Sequence, residues 1–256
     1  MNEALNVIAG IWNRAEDQVQ DGFLSLAAEW RAWLMADPSR AGQPLPHLDE
    51  LQNIITTGVL NAAGSALEVT ALEAGISSVP PGVFSLLGDY YSQYGGYVQT
   101  LDQGMQAAVQ VGLQNAANAG LSEEDTALHV LGRMLPLGAA RLKTIARTEL
   151  TNATTLGRVA TFHAAGVRLY EYRSVLDPDT TRTCTHLDGM VLDPRSALAR
   201  QLMPANHYRC RALVVPAAED AAPATEAQLL EGIRIRREEF PGWQPRLGPY
   251  LEQVVA

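Results

Sequence analysis

The chain has 256 residues, 47% hydrophobic and 18% charged, with a formal net charge of -9 at pH 7, which places it among folded globular proteins and excludes wholesale disorder or a coiled-coil rod. That length carries one large or two modest domains. Two cysteines, Cys184 and Cys210, are too few for a disulfide framework and cannot alone fill a four-thiolate metal site.

The first residues lack the basic n-region of a signal peptide, and no apolar run reaches the ~18 residues of a membrane span. Synthesis and assembly in a reducing cytoplasm, away from membranes, are therefore expected. Over the first 36 residues Leu5, Ile8, Trp12, Ala15, Val19, Phe23, Leu26, Trp30 and Trp33 recur at three- and four-residue spacing, the stripe of a long helix that must be buried against something. Asp37-Pro38-Ser39 ends it. A Gly/Pro-rich connector from Gly42 to Pro46 then leads to a second helical pattern, Leu48 to about Ala74, which predicts a helical hairpin.

Pro80-Pro81-Gly82 breaks the chain again. The stretch containing Tyr90, Tyr91, Tyr94, Gly95, Gly96 and Tyr97 reads as a packing corner rather than a contact surface, because amphipathic aromatics are mostly buried. Helical patterning resumes from Tyr97 to Ala119. Ser122 and Asp125 approximate a capping box for a helix from 123 to about 135, which Pro136 and Gly138 are expected to end. A further helix runs from about Ala139 to Ala165, closed by Gly166. Its apolar stripe is Leu142, Ile145, Ala153, Leu156 and Ala160. Glu149 falls on that stripe, while Arg147 and Arg158 are expected to point elsewhere. Glu149 should be partly buried and paired with an arginine of the following β unit; without a companion acid, base or nucleophile it does not make a catalytic site.

After Gly166 the hydrophobic period changes to two. Val167 to Leu176, Gly189 to Leu192 and Arg211 to Val215 read as three strands, the last bounded by Pro216. Ala217 to Thr225 is linker-like, Glu226 to Phe240 is helical, and the end is broken by Pro and Gly. The expected fold is α+β and mainly α-helical: long N-terminal helices followed by a helix-plus-small-antiparallel-sheet module. The expected domains are a helical region at 1–96, the module at 97–216, and a linker with a short helical tail at 217–256.

Charge is unevenly distributed. Residues 1–130 carry 3 basic and 15 acidic side chains, and residues 131–216 carry 12 basic and 6 acidic ones. That basic segment suits either internal pairing or an acidic partner such as DNA. Cys184 and His186 follow the first strand and His207 and Cys210 precede the third, so adjacent strand ends bring two sulfurs and two imidazoles together. Three states fit these residues: a structural zinc site, reduced cysteines buried as small apolar groups, or a disulfide. A Cys/His nucleophile lacks an orienting context. A P-loop, G-x-G-x-x-G turn, G-x-S-x-G elbow and H-E-x-x-H helix are all absent from the sequence, which removes the commonest nucleotide, hydrolase and metalloprotease readings.

The order of features is more specific than any one of them: Ala146-Arg147-Thr148-Glu149, Gly157, Gly166, an aromatic strand, Asp177, Cys184, Leu187-Asp188-Gly189, Pro204 and His207-Tyr208-Arg209-Cys210-Arg211. This series resembles the Mu F-like phage head morphogenesis, or minor head protein, family. Members typically show an A-R-T-E helix, a W-x-x-x-x-D strand, a C-x-x-L-D-G turn and an H-P-x-C-R-C ending. Tyr172 stands where the tryptophan is usual, and Thr181 and Ala212 stand where some members carry further cysteines.

The resemblance implies a minor capsid protein near the portal, present in low copy, with no enzymatic activity and with Arg147, Glu149, Asp177, Asp188, Gly189 and Arg211 in structural roles. The implied partners are the portal protein, other head proteins and copies of the chain around the portal. The implied location is the virion, at the capsid interior or portal vertex, with the host cytoplasm during assembly. Cys184, His186, His207 and Cys210 are the candidate ligands for a structural zinc, the one cofactor considered. The alternative function is a DNA-binding or DNA-ejection factor acting through the basic 131–216 segment.

Overall fold

The computed structural model describes residues 3–37, 40, 43, 45–94, 107–109, 111–116 and 118–256. The expected turn at Pro38-Ser39, Gly42 and Pro44 of the connector, the corner residues Gly95, Gly96 and Tyr97, and the start of the third helical pattern lie outside the described residues. The elements are α1 (Glu3–Ala36), α2 (Leu48–Glu73), α3 (Pro81–Tyr94), α4 (Glu123–Ala164), β1 (Tyr170–Ser174), α5 (Arg182–Leu187), β2 (Val191–Leu192), α6 (Ala197–Arg200), β3 (Ala212–Pro216), α7 (Glu226–Glu239) and α8 (Gly248–Val255). The protein is mainly helical with one small antiparallel sheet. Among the described residues no helix is long and apolar enough to cross a membrane.

The chain forms two compact units, one made of residues 1–13, 59–92 and 147–256, the other of residues 14–58 and 93–146. In the second unit α1 and α2 form the expected hairpin. Gly22 lies against Ile54 and Gly58 against Val19, so close that an added Cβ would stand 2.8 and 2.6 Å from those side chains. The two contacts run in opposite chain directions, which makes the helices antiparallel. Phe23 meets Trp30 edge to face at 5.9 Å, and the Trp30 indole N–H donates to the Pro46 carbonyl at 2.7 Å. The buried stripe leaves the expected track at its end. Leu34, not Trp33, is buried, because the four-residue step from Trp30 keeps to the packed face. Trp33 lies half-buried under the Arg40 guanidinium.

The expected break at Pro136 and Gly138 does not occur, and α4 runs through both. A proline inside a helix removes one N–H and costs about 3 kcal/mol. The apolar face is continuous across it, with Ala127, Val130 and Leu131 buried before the proline and Leu142 and Ala146 after it. Leu142 follows Leu131 by about three turns, so both sides need the same helix axis to stay buried.

In the first unit the sheet has the order β2-β1-β3, antiparallel throughout. Tyr172 pairs with Val214 and Tyr170 with Leu192 and Pro216. β1 and β2 are shorter than the alternation suggested, and β3 keeps its expected length, shifted by one residue to include Pro216. β1 stops at Ser174 because its N–H donates to the Asp188 carboxylate at 2.7 Å instead of a strand partner. Its inward residues are Tyr170, Tyr172 and Ser174. Against the sheet lies the C-terminal half of α4, in which every residue from Arg147 to Val159 is buried.

Such a helix, buried on all sides, must satisfy its polar side chains internally. This overturns the expectation that Arg147 and Arg158 point away from the packed stripe. Arg158 has no exposed surface; it donates to the Val214 carbonyl at 2.8 Å and the Thr70 hydroxyl at 2.9 Å and forms an ion pair with Glu73 at 2.7 Å. Burial lowers its proton affinity, and Glu73 counters that only in part. Arg147 donates to the Asn13 amide oxygen at 2.6 Å and lies over the Trp12 ring. Gly157 permits the contact with α2, since a Cβ there would stand 2.5 Å from Leu67.

The C-terminal tail packs on the module. Thr225 and Gln228 form a capping box that starts α7. At its far end the Glu239 carboxylate accepts from the backbone N–H groups of Arg182 and Thr183 and from the Thr183 hydroxyl, at 2.7–3.0 Å. An anion at the first turn of α5 meets the N–H groups that no helical carbonyl can reach.

Candidate functional site

Cys184 sits on α5 rather than in a loop. The helix forms there because Thr181 caps it, its hydroxyl accepting from the Cys184 N–H at 3.2 Å. The turn after α5, Leu187-Asp188-Gly189, folds back onto β1. Gly189 adopts φ +80°, which favours glycine, and donates to the Tyr172 carbonyl at 2.8 Å. His207 and Cys210 lie on the turn before β3, where Arg209 takes φ +59° and donates its N–H to the Thr148 hydroxyl at 3.1 Å. The Thr151 hydroxyl donates to the Cys210 carbonyl at 2.6 Å. Two turns fixed against α4 and β1 thus bring Cys184, His207 and Cys210 together.

All three are buried, and one donor atom from each lies within 4.8 Å of the other two. Cys184 Sγ is 3.0 Å from His207 Nε2 and 3.8 Å from Cys210 Sγ. His186 does not join them: it is only half-buried on α5, and its buried Nε2 has no partner among the described residues. The cysteines are free thiols. A Cys-His-Cys group of this kind can bind a metal ion.

Several surrounding groups escape sequence reasoning. The Tyr172 hydroxyl lies 3.3 Å from Cys184 Sγ and 3.8 Å from Cys210 Sγ, and it accepts from the Asn206 amide at 3.3 Å. Its position could have been found from the inward alternation of β1; its hydroxyl contacts could not. Phe240 stacks on the His207 ring with centroids 4.9 Å apart. The Arg236 guanidinium, 2% exposed, donates to the carbonyl of Gln201 and the amide oxygen of Asn206. Burial lowers its proton affinity, to about 10.

The electrostatics of the sulfur pair are asymmetric. Cys184 is pushed well up by its hydrogen bond with Cys210 and by burial. Burial acts in the same sense on Cys210, but the Cys184 thiol, the backbone N–H groups of Asn206 and Ala212 and the Tyr172 hydroxyl outweigh it, so Cys210 is the sulfur that loses a proton first. Burial lowers His207, and Cys184, the Tyr208 carbonyl and Glu239 reverse that to a net rise. Burial and the neighbouring sulfurs hold Tyr172 protonated far above its usual range.

The remaining residues singled out by sequence serve the frame. Asp177 receives a two-pronged ion pair from Arg211, both contacts 2.6 Å, which holds its carboxyl down at about 2. Glu149 is 2% exposed, as its place on the stripe requires. Its ionic partner is Arg246 of the tail at 3.2 Å, not an arginine of the β unit, and the Tyr90 hydroxyl donates to it at 2.9 Å. The β-unit arginines are engaged locally instead, Arg173 by Glu171 and Arg211 by Asp177. Tyr90 is fully buried, consistent with a packing corner. A groove of about 750 Å³ beside the sheet includes Glu73, Glu171 and Arg173 in its wall; Glu73 is bound to Arg158 and Glu171 to Arg173.

Residues 107–215 match the family model described as phage Mu protein F like protein, a head morphogenesis family. No curated protein and no solved structure matches the chain.

Proposed function

We propose that the chain, through the phage Mu protein F like module that residues 107–215 form, is a minor structural protein of a phage head. It acts at the portal vertex, in low copy, during head assembly. The family is one of structural head proteins, and its match is the observation that carries the reading. The charged side chains serve the frame: Arg147 and Arg158 tie α4 to α1 and α2, Glu149 ties it to the tail at Arg246, and Arg211 ties the start of β3 to Asp177 in the loop after β1. The partners in this reading are the portal protein, neighbouring head proteins and further copies of the chain around the portal, with the capsid interior as the final location and the host cytoplasm as the place of assembly.

Passage of DNA during packaging or ejection is the second reading, and it rests on the basic segment. Of the twelve basic residues at 131–216, Arg158, Arg173, Arg182, Arg195, Arg200 and Arg211 are in ion pairs. Internal pairing reduces the charge left for a polyanion, so the structural reading is favoured. Coexpression with the portal protein of the same phage genome tests it. The expected result is a complex that survives size-exclusion chromatography at moderate salt. Separate elution of two folded proteins, together with normal heads when the gene is deleted, contradicts the proposal.

A further inference from the structure

The Cys-His-Cys cluster has the shape of a metal site with one side open, and this stands apart from any role in the head. For a tetrahedral ion with metal–sulfur bonds of about 2.3 Å, two thiolates must lie about 3.8 Å apart; Cys184 and Cys210 Sγ are 3.8 Å apart. The sulfur-to-imidazole distance for such an ion is about 3.5 Å, so His207 Nε2, now 3.0 Å from Cys184 Sγ, has to back away by about 0.5 Å. The imidazole is already set for this. Its Nδ1 lies 2.8 Å from the Tyr208 carbonyl, a bond that places the proton on Nδ1 and leaves the Nε2 lone pair facing the sulfurs.

The turn is equally prepared. The Arg209 N–H donates to the Thr148 hydroxyl and the Thr151 hydroxyl donates to the Cys210 carbonyl, so the turn is held against α4. The left-handed Arg209 lets His207 and Cys210, three residues apart, present their side chains to one point. Two hydroxyls border the group: Thr181 Oγ1, 3.2 Å from His207 Nε2 and accepting from the Cys184 N–H, and Tyr172, 3.3 Å from Cys184 Sγ.

We propose that Cys184, His207 and Cys210 bind one zinc ion, with the fourth position beside Thr181 filled by a water that the Thr181 hydroxyl holds. Binding exchanges one Zn²⁺ for the two thiol protons, which leave to solvent, and no oxidant or reductant takes part. His186 is not a ligand. The ion ties α5 to the turn before β3, in a part of the fold with few backbone ladders.

The test uses the full-length chain purified under reducing conditions, with Co²⁺ as optical probe and Zn²⁺ as competitor. The expected result is about one equivalent of cobalt, a thiolate-to-cobalt charge-transfer band with the intense visible bands of a tetrahedral ion, and loss of both on adding zinc. Cys184→Ala and Cys210→Ala abolish the charge-transfer band or halve it. Two further variants keep the test decisive if those fail to fold. His186→Asn leaves the spectrum and affinity unchanged, and Thr181→Cys supplies a third thiolate and tightens zinc binding about tenfold or more. A folded native chain with two reactive thiols that takes up no cobalt overturns the proposal. So does loss of binding in His186→Asn, or a Thr181→Cys chain that binds zinc no better than the native one.

Discussion

Removing the carboxylate beside Arg158 tests the account of the central helix. In Glu73→Gln the guanidinium, with no exposed surface, keeps its bonds to Val214 and Thr70 but loses its counter-charge. Breaking a buried pair from one side costs about 3–5 kcal/mol, and the glutamate is 21% exposed, which screens part of the attraction and reduces the expected loss to about 2–3 kcal/mol. In Arg158→Met the stem is replaced by an apolar chain of similar length and Glu73 can turn to water. Thr70 retains its bond to the Ala66 carbonyl, and only the Val214 carbonyl loses its donor, for about 1–2 kcal/mol. The double variant should therefore resemble Arg158→Met rather than the sum of the two. Urea unfolding followed by circular dichroism measures all three. A Glu73→Gln stability within about 0.5 kcal/mol of the native chain, or additive effects of the two substitutions, would show that the buried pair does not act as a unit.

Four other outcomes follow from the same structure. The Asp177 carboxyl should titrate at about 2; because its folded pKa lies below the unfolded one, its stabilisation is present above the ordinary carboxylate range and is lost as pH falls toward 2. Carbon-detected NMR should show that midpoint, returning toward 4 in Arg211→Ala. Gly157→Ala should destabilise by about 1–3 kcal/mol despite its better helix propensity, because the new methyl meets Leu67 at 2.5 Å; thermal melting checks the sign. Thr225→Ala removes half of the capping box that starts α7 and should cost about 1 kcal/mol, with hydrogen exchange increasing first at 226–229. Duplex DNA should be bound only weakly at low salt and released as salt rises. A gel-shift titration showing tight binding at physiological salt would favour the DNA reading over the structural one.

The sequence makes α1, α2, α7 and the three strands legible in their order because helical and strand periods are strong there, whereas the helices α3, α5, α6 and α8 carry no such signal. What it hid was context. Local propensity alone marks Pro136 as a stop, and the packing on both sides of it overrides that. A single apolar stripe leaves Arg147 and Arg158 facing solvent, whereas the buried half of α4 is surrounded and Arg147, Thr154 and Arg158 find partners in α1, α2 and β3. The pairing of Glu149 with Arg246 and the capping of α5 by Glu239 join residues far apart in the chain, and no local pattern announces such contacts. For the candidate metal group, spacing along the chain identified Cys184, His207 and Cys210. It also suggested His186, since a C-x-H spacing says nothing of the helix that separates those two side chains. The inward alternation of β1 places Tyr172, but nothing in the sequence shows that the hydroxyls of Tyr172 and Thr181 touch the cluster.

The most direct test of the head-protein account is quantitative mass spectrometry of gradient-purified heads from a phage that encodes this chain. The account predicts the protein in every head preparation, at a copy number close to that of the portal and far below that of the major capsid protein, and retained in DNA-free heads. Its consistent absence from purified heads, while it is abundant in the same lysate, would contradict it.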